Sequence, residues 1–321
     1  ASIYSSQPGK CPKADRRLGG PMIRVRVPAT TANMGPGYDV LGMALSQYST
    51  FQCQEDDKIS LFIKGLESEK LLDQNPEDNL VVRSMNHLFE YVNKCPKGYK
   101  LEIINDIPLA RGMGSSASAI VGGLLVANHL VDAKLGQDQI LMLATQIEGH
   151  PDNVAPALMG NIVLSAMVDD NQVIYHSIHP FEDMTCVLFI PDYEVSTNMS
   201  RSVLPKSISM ADAVHTSGHL SLMLAGFMTG NKDLIGKTMA DKLHEPYRKG
   251  LIKSFDDFKA AALDAGAFAF SLSGSGSTII AYCDHDSAPS VKDAFETISQ
   301  RYEISGASKI IAMMHAPVRV A

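Results

Sequence analysis

A glycine-serine turn that leads into a long apolar segment constrains the fold of this chain more than any other feature. Residues 108–118 read Pro-Leu-Ala-Arg-Gly-Met-Gly-Ser-Ser-Ala-Ser, and a run of small and apolar residues continues to Val126. The apolar positions recur at helical spacing without a proline, which predicts a buried helix of about 14 residues. Glycines let the backbone approach a ligand closely, and the hydroxyl of Ser115 or Ser116 can cap the helix. The free N–H groups at such a helix start are a site for phosphate.

Two interpretations of this turn stay open on the local pattern. It is either an ordinary capped helix after a glycine turn or a phosphate-binding loop, because glycine-serine turns are common before helices. It is not the GxxxxGK[ST] loop, since no lysine follows Gly114. The charge of a bound nucleotide would therefore have to be met by other residues.

Composition argues against two classes of function. The 321 residues carry a net charge of −7, and the pI is about 5.8, which disfavours a protein that binds nucleic acid by neutralising phosphates. No apolar run reaches the roughly 20 residues of a membrane span. Residues 1–21 lack the apolar centre of a secretory signal, and we expect a leader there that is vector-derived or disordered. We expect a cytoplasmic protein, and its length predicts two lobes.

Polar residues concentrate in two further segments. Residues 29–42 are rich in glycine and proline, and we expect an irregular binding loop after a strand at 23–27 that Pro28 ends. In this loop Asn33 offers a donor and an acceptor, and Asp39 offers a carboxylate for a cationic group. Residues 148–153 read Glu-Gly-His-Pro-Asp-Asn and follow a predicted helix at 138–148. This cluster fits both a helix C-terminus and a ligand site, because capping uses the backbone and leaves the side chains free.

The second half of the chain contains isolated arginines and another glycine-serine loop. Arg201 follows Thr197 in a polar connection, and Arg248 lies between predicted helices; a single arginine is more often a solvated surface charge than a ligand. Residues 272–277 read Leu-Ser-Gly-Ser-Gly-Ser between short strands, which predicts a hairpin. Two glycine-serine loops in one chain suggest a shared anion site. Further strands are expected within 46–66 and at 100–104, 158–168 and 185–190, and further helices at 80–92, 211–228, 232–239 and 251–265. The elements mix without a regular βαβ rhythm, so an α+β fold is favoured.

Three segments together resemble the motifs of the galactokinase, homoserine kinase, mevalonate kinase and phosphomevalonate kinase (GHMP) superfamily. They are residues 28–42, 108–118 and 273–277, and the resemblance covers roughly residues 22–321. Within the superfamily, Pro-Ala-Thr-Thr-Ala-Asn-Met-Gly-Pro-Gly-Tyr-Asp and Glu-Gly-His-Pro-Asp-Asn-Val-Ala-Pro are similar to homoserine kinases. Those enzymes use ATP and magnesium to make O-phospho-L-homoserine for threonine synthesis. The resemblance implies a two-lobed α+β fold with the active site between the lobes. A lobe like ribosomal protein S5 domain 2 would bind ATP and span 22–170, and a ferredoxin-like lobe would span 171–321.

The resemblance also implies the ligands of individual residues. For ATP they are Asn79, beside the adenine, and Pro108, Leu109, Ala110, Arg111, Gly112, Met113, Gly114, Ser115, Ser116, Ala117 and Ser118. For homoserine they are Asn33, Asp39, His150, Asn153, Thr197, Arg201 and Arg248. Magnesium would lie between Ser116 and Glu148, and these two residues with Asn153 would be catalytic.

Charge matching agrees with this assignment. Asp39 can pair with the ammonium of homoserine, Arg201 and Arg248 can pair with its carboxylate, and Asn153 can orient the hydroxyl. Phosphoryl transfer depends mostly on positioning and charge, so a strong base is not obligatory. We expect a homodimer that takes small-molecule substrates and binds neither nucleic acid nor membrane.

Two alternatives remain, a mevalonate-type kinase and a non-catalytic ligand sensor on the same scaffold. Mevalonate has no ammonium to satisfy a buried aspartate, so Asp39 with two arginines favours an amino-acid substrate. Intact Ser116, Glu148 and Asn153 argue against a sensor.

Overall fold

The computed structural model describes residues 20–72, 75–169 and 172–321. Residues 1–19 of the expected leader, and the expected lobe boundary between 170 and 171, lie outside the described residues. Within the described residues, no helix is both long and apolar enough to cross a membrane. The strands are β1 (Ile23–Asn33), β2 (Gly37–Asp56), β3 (Ser60–Gly65), β4 (Gly98–Asn105), β5 (Ile162–Asp169), β6 (Gln172–Ile178), β7 (Met184–Pro191), β8 (Ala269–Leu272), β9 (Ile279–Asp284) and β10 (Gly306–Ile311). The α-helices are α1 (Ser68–Leu72), α2 (Leu80–Val92), α3 (Ser115–Leu130), α4 (Gln137–Glu148), α5 (Pro151–Met159), α6 (Thr197–Ser202), α7 (Met210–Thr229), α8 (Lys232–Thr238), α9 (Glu245–Arg248), α10 (Phe255–Asp264) and α11 (Ala288–Arg301).

Two sheets organise the part of the chain that the structure describes. In the first, strands β3, β4, β2, β5 and β6 lie side by side, and β1 pairs with β2. Every pair is antiparallel except β3 with β4. Helices α2 to α5 bury their apolar residues against this sheet in one core. One mixed sheet and one antiparallel sheet, each with helices packed against it, confirm the α+β prediction.

The second sheet has the order β10, β7, β9 and β8, and both of its faces are buried. Along β7, Val187 and Phe189 pack with α10 and α11, whereas Cys186 and Leu188 face a core that also contains Leu41 and Ile162 of the first sheet. Side chains of a strand alternate between its faces, so this strand joins two cores. The hairpin predicted around residues 272–277 is confirmed, since β8 and β9 pair antiparallel.

The segment after Pro28 differs from expectation. Pro28 does not end the first strand: β1 continues to Asn33, with a register shift between Pro28 and Ala29. Proline is tolerated at such irregularities because the ladder is already interrupted there. The expected loop at 29–42 is therefore a β-hairpin whose turn is formed by residues 34–36. Its polar side chains therefore belong to paired strands rather than to an irregular loop.

Candidate active site

The glycines of the 108–118 turn are required by backbone geometry. Gly112 and Gly114 have φ values of +72° and +64°, in the left-handed region that favours glycine. A Cβ on Gly114 would lie 1.8 Å from Thr30 Oγ1, and one on Gly112 would lie 2.1 Å from the carbonyl oxygen of Ser273. Both positions therefore exclude any side chain.

The helix after this turn starts without a side-chain cap. Gly114 is the N-cap of α3, so the expectation that a serine hydroxyl caps the helix is wrong. The hydroxyl of Ser116 instead donates to Glu148 Oε2 at 2.7 Å. The first N–H groups of a helix have no partner within it, so this helix start is left to serve an anion.

The two glycine-serine loops meet. Ser273 Oγ donates to the carbonyl oxygen of Gly112 at 2.6 Å, and the N–H of Thr278 donates to that of Arg111 at 3.1 Å. The N–H of Gly274 donates to the carbonyl oxygen of Ala32, which ties the second loop to β1. Three stretches far apart in sequence thus form one rigid frame around the start of α3.

The guanidinium group of Arg111 is bound within this frame. Its Nε donates to the carbonyl oxygen of Pro191, Nη2 to that of Asp192, and Nη1 to Glu67. The guanidinium therefore links the turn to the end of β7 and to the carboxylate of Glu67. Its charge is already matched.

A cleft opens beside the start of α3. All seven residues expected to contact homoserine line it, together with Ser116, Glu148 and the turn from Ala110 to Ser115. Five residues of the predicted ATP site do not line this cleft: Asn79, Pro108, Leu109, Ala117 and Ser118. Asn79 is buried as the N-cap of α2 and accepts from the N–H of Val81, and Ser118 Oγ donates to the carbonyl oxygen of Val27.

The helix C-terminus expected at residues 148–153 is confirmed, and its geometry leaves the side chains free for a ligand. Gly149 has φ +92° and ends α4, and α5 begins at Pro151, so the chain turns sharply between two helices. The turn leaves Glu148, His150 and Asn153 on the wall of the cleft. Asn153 Oδ1 accepts from Thr30 Oγ1 at 2.7 Å, so its amide nitrogen can donate to a ligand.

Two residues of this wall, Glu148 and His150, have shifted pKa values. Burial raises the pKa of Glu148, even though the Ser116 hydroxyl stabilises its charged form. A carboxylate in this position gains from a cation. Burial alone would lower the pKa of His150, but the hydrogen bond to Asp152, at 2.5 Å, and nearby carboxylates raise it overall.

Opposite charges also pair within the cleft. Arg201 binds Asp39 through two nitrogens, at 3.0 and 3.2 Å. Asp39 has φ +58°, and its N–H donates to Asn33 Oδ1 at 3.1 Å, while the Asn33 amide donates to the carbonyl oxygen of Gly274. An aspartate held in the left-handed region by its neighbours is typical of a ligand site.

Arg248 is not a solvated surface charge. Its side chain lines the cleft but the residue is only 2% exposed, and it donates to the carbonyl oxygens of Ser200 and Gly274. Burial and the charge of Arg201 lower its pKa, yet the guanidinium stays charged. The guanidinium groups of Arg201 and Arg248 therefore line the same cleft as the carboxylate of Asp39.

Two groups of side chains could hold a metal ion. Asp39, His150 and Asp152 bring possible ligand atoms within 4.8 Å of one another. Asp39 is already matched by Arg201, and His150 by Asp152, so their charges are satisfied. Glu148 accepts a hydrogen bond from the Ser116 hydroxyl, and burial raises its pKa, so this carboxylate fits a hard cation better.

Sequence reasoning assigned no role to three residues of the site. They are Tyr38, whose ring lies beside both arginines, Asp152, which binds His150, and Thr30, which binds Asn153. Asp152 carried a usable signal, because it stands between two assigned residues. Tyr38 and Thr30 gain their partners only through long-range contacts.

Comparison with known proteins gives consistent matches. Models of the GHMP kinases N-terminal domain and C-terminal domain match residues 79–161 and 223–298. The chain is 44% identical to a homoserine kinase of Moorella thermoacetica, over 82% of this chain and 88% of that protein. It is 40% identical to one of Crocosphaera subtropica, over 88% and 92%. A crystal structure of homoserine kinase from Cytophaga hutchinsonii superposes with a TM-score of 0.85 at 30% identity, covering 96% of this chain and 99% of the other.

Proposed function

This chain belongs to the GHMP kinases and, within them, to the homoserine kinases, and on that premise we propose that it transfers the γ-phosphoryl group of ATP to the side-chain hydroxyl of L-homoserine. The product is O-phospho-L-homoserine, an intermediate of threonine biosynthesis. ATP, magnesium and homoserine are the small-molecule ligands. We also propose a cytoplasmic homodimer, on the resemblance to the family.

The paired charges of Asp39 and Arg201 carry the proposal. In the free protein each satisfies the other at 3.0 Å. A zwitterion can replace this contact charge for charge, with its ammonium on Asp39 and its carboxylate on Arg201 and Arg248. A ligand with only one of the two charges would leave a protein charge without a partner, which costs free energy in a partly desolvated site. The cleft therefore selects an amino acid.

The phosphates of ATP are assigned to the start of α3. Backbone N–H groups and the helix dipole favour an anion there, and the absence of a side-chain cap leaves those groups available. Ser116 and Glu148 are the residues assigned to magnesium, and a bound ion would offset the charge of the transferring phosphoryl group. The short contact between these two side chains, with the raised pKa of Glu148, supports that assignment.

The reaction needs alignment more than a strong base. The side-chain oxygen of homoserine bonds to the γ-phosphorus, the bond from that phosphorus to the bridging oxygen of ADP breaks, and the hydroxyl proton is released. Asn153 is assigned to orient the hydroxyl, because Thr30 fixes its amide and leaves the NH₂ group to donate. His150 and Thr197 complete the wall beside the substrate.

A coupled assay of ADP release with L-homoserine, mevalonate and galactose tests the proposal. We expect kcat/KM for homoserine to exceed the other two by at least about 100-fold, because only homoserine satisfies both Asp39 and the arginines. Turnover of mevalonate or galactose at a similar rate would contradict the substrate assignment. ATP binding without turnover of any of the three would favour the sensor alternative.

A further inference from the structure

We propose that Tyr38 is a positioning residue for the carboxylate of the amino-acid substrate, which it serves by holding the guanidinium groups of Arg201 and Arg248 toward the cleft. The inference rests on the proposed function and adds a residue to its specificity. Tyr38 is the second residue of β2 and is half-buried, directly before Asp39.

The hydroxyl of Tyr38 fixes Arg201. Arg201 Nη1 donates to it at 2.9 Å, and the same nitrogen donates to Asp39 Oδ2 at 3.2 Å. Burial, followed by the charge of Asp39, raises the pKa of Tyr38, so the phenol stays neutral and keeps its lone pairs for the guanidinium. The hydroxyl is therefore a partner of Arg201 that does not compete with a substrate anion.

The guanidinium groups of both arginines lie close to the ring of Tyr38. The guanidinium carbons of Arg248 and Arg201 lie 5.0 and 5.8 Å from the ring centroid, within the range of cation–π attraction. Two arginines at one subsite repel each other, and an aromatic face offsets part of that repulsion without supplying a negative charge. A carboxylate in place of the ring would satisfy the arginines and weaken their attraction for the substrate.

His244 holds the ring from behind. Its imidazole stacks on Tyr38 with ring centroids 5.2 Å apart, and its Nε2 donates to the carbonyl oxygen of Gly35 at 2.8 Å. Burial lowers the pKa of His244, so the stacked imidazole is neutral and adds no third positive charge. The Tyr38 ring is thereby fixed between a buried histidine and the two arginines.

This arrangement explains how Arg201 can change partners. When the substrate ammonium takes Asp39, Arg201 loses its two contacts to that carboxylate. The Tyr38 hydroxyl remains as its partner and keeps the guanidinium directed at the cleft. Without the hydroxyl, Arg201 would have to be ordered by the substrate itself, and that ordering costs side-chain entropy.

The test compares Tyr38→Phe with the wild-type protein and with Tyr48→Phe. Tyr48 lies on the same strand and has Arg26 over its ring at 4.4 Å. Arg26 lies outside the set of residues that line the cleft, whereas Arg201 and Arg248, the arginines beside Tyr38, belong to it. We expect Tyr38→Phe to raise the KM for L-homoserine about tenfold, as loss of a hydrogen bond to a charged group does. The kcat and the KM for ATP should stay within about twofold, since the phosphate loop is untouched. Tyr48→Phe should leave all three unchanged.

Calorimetric binding of two analogues separates positioning from a general structural effect. 4-Hydroxybutyrate keeps the carboxylate and lacks the ammonium, whereas 3-aminopropan-1-ol keeps the ammonium and lacks the carboxylate. Tyr38→Phe should weaken binding of the first by a smaller factor than it weakens homoserine binding, because without an ammonium Arg201 keeps Asp39 as a partner. It should leave binding of the second unchanged, because that ligand has no carboxylate for the guanidinium groups to hold. Equal losses for both analogues, or an unchanged homoserine KM, would overturn the inference. Failure of the wild-type protein to phosphorylate homoserine would count against the proposed function instead, and the binding ratios would still report on Tyr38.

Discussion

Replacing Gly114 with alanine should reduce turnover as well as stability. The added Cβ would lie 1.8 Å from Thr30 Oγ1, and this distance must grow by about 1.6 Å to reach the 3.4 Å of an ordinary contact. The left-handed backbone at φ +64° adds about 1–2 kcal/mol for a residue with a side chain. Moving Thr30 also breaks its hydrogen bond to Asn153, which contributes about 1 kcal/mol. We expect the free energy of unfolding to fall by about 2–3 kcal/mol. We also expect kcat/KM to fall about 100-fold, because a misplacement of about 1 Å in an active site can lower the rate by that factor.

A matched variant separates the steric effect from backbone strain. Gly230 has φ +68° but ends α7, and its nearest neighbour to an added Cβ is Phe181 at 3.7 Å, an ordinary contact. Gly230→Ala should therefore cost stability without reducing turnover. In a Thr30→Ala background, Gly114→Ala should cost less than in the wild-type protein, because the clashing oxygen is gone. Steady-state kinetics and urea unfolding of the set measure both effects. If Gly114→Ala behaved like Gly230→Ala, the reasoning about the turn would be refuted.

Three further predictions concern charged residues. Glu148→Gln should lower kcat by about 100-fold or more and leave homoserine binding nearly unchanged, as expected of a magnesium ligand; near-normal turnover in steady-state assays would remove Glu148 from the metal site. Asp39→Asn should raise the homoserine KM by about 5- to 30-fold. This is less than the effect of breaking a fully buried ion pair, because the Asp39 side chain is 31% exposed. An equal rise in the KM for ATP would contradict the prediction. Burial raises the pKa of Glu245 to about 7 in the folded protein, whereas glutamate in the unfolded chain has a pKa of about 4.3. The stabilisation that the protonated Glu245 gives the fold is therefore complete below a pH of about 4.3 and is lost as the pH rises through about 7. Glu245→Gln should therefore flatten the fall in unfolding free energy between pH 5 and 8, measured by urea titration, and an unchanged slope would contradict this.

The site was more predictable from the sequence than the surrounding fold. Short motifs contain several polar side chains whose hydrogen-bonding or charged groups are evident from the residue type. They are Asn33, Asp39, Glu148 and Asn153, and all four line one cleft in the structure. Arg248 could be assigned only through the resemblance. In the folded chain its guanidinium is buried and donates to the carbonyl oxygens of Ser200 and Gly274, and both residues are distant from Arg248 in sequence.

Tyr38 shows why part of the site could not be predicted. An aromatic residue in a glycine-rich hairpin has no distinctive local signal. Its partners Arg201, His244 and Arg248 are more than 160 residues away along the chain, and only packing of the two sheets brings them together. A local pattern cannot report such a contact.

α11, α5 and β6 were not predicted from the sequence. α11 had a readable signal, since Val291, Phe295 and Ile298 recur at helical spacing and are buried. α5 was obscured by Pro156 within the helix, and residues 158–159 belong to α5 rather than to the strand expected at 158–168. β6 has an irregular burial pattern along its edge of the sheet, so no alternation marks it.

Identification of the phosphorylated product tests the central claim most directly. The account requires one phosphate ester on the side-chain oxygen of L-homoserine, formed from ATP in a cleft that satisfies a zwitterion. Phosphorus NMR and mass spectrometry of the reaction mixture should show O-phospho-L-homoserine and ADP in equal amounts. ADP release without this ester, or a phosphoryl group on the carboxylate instead of the hydroxyl, would contradict it.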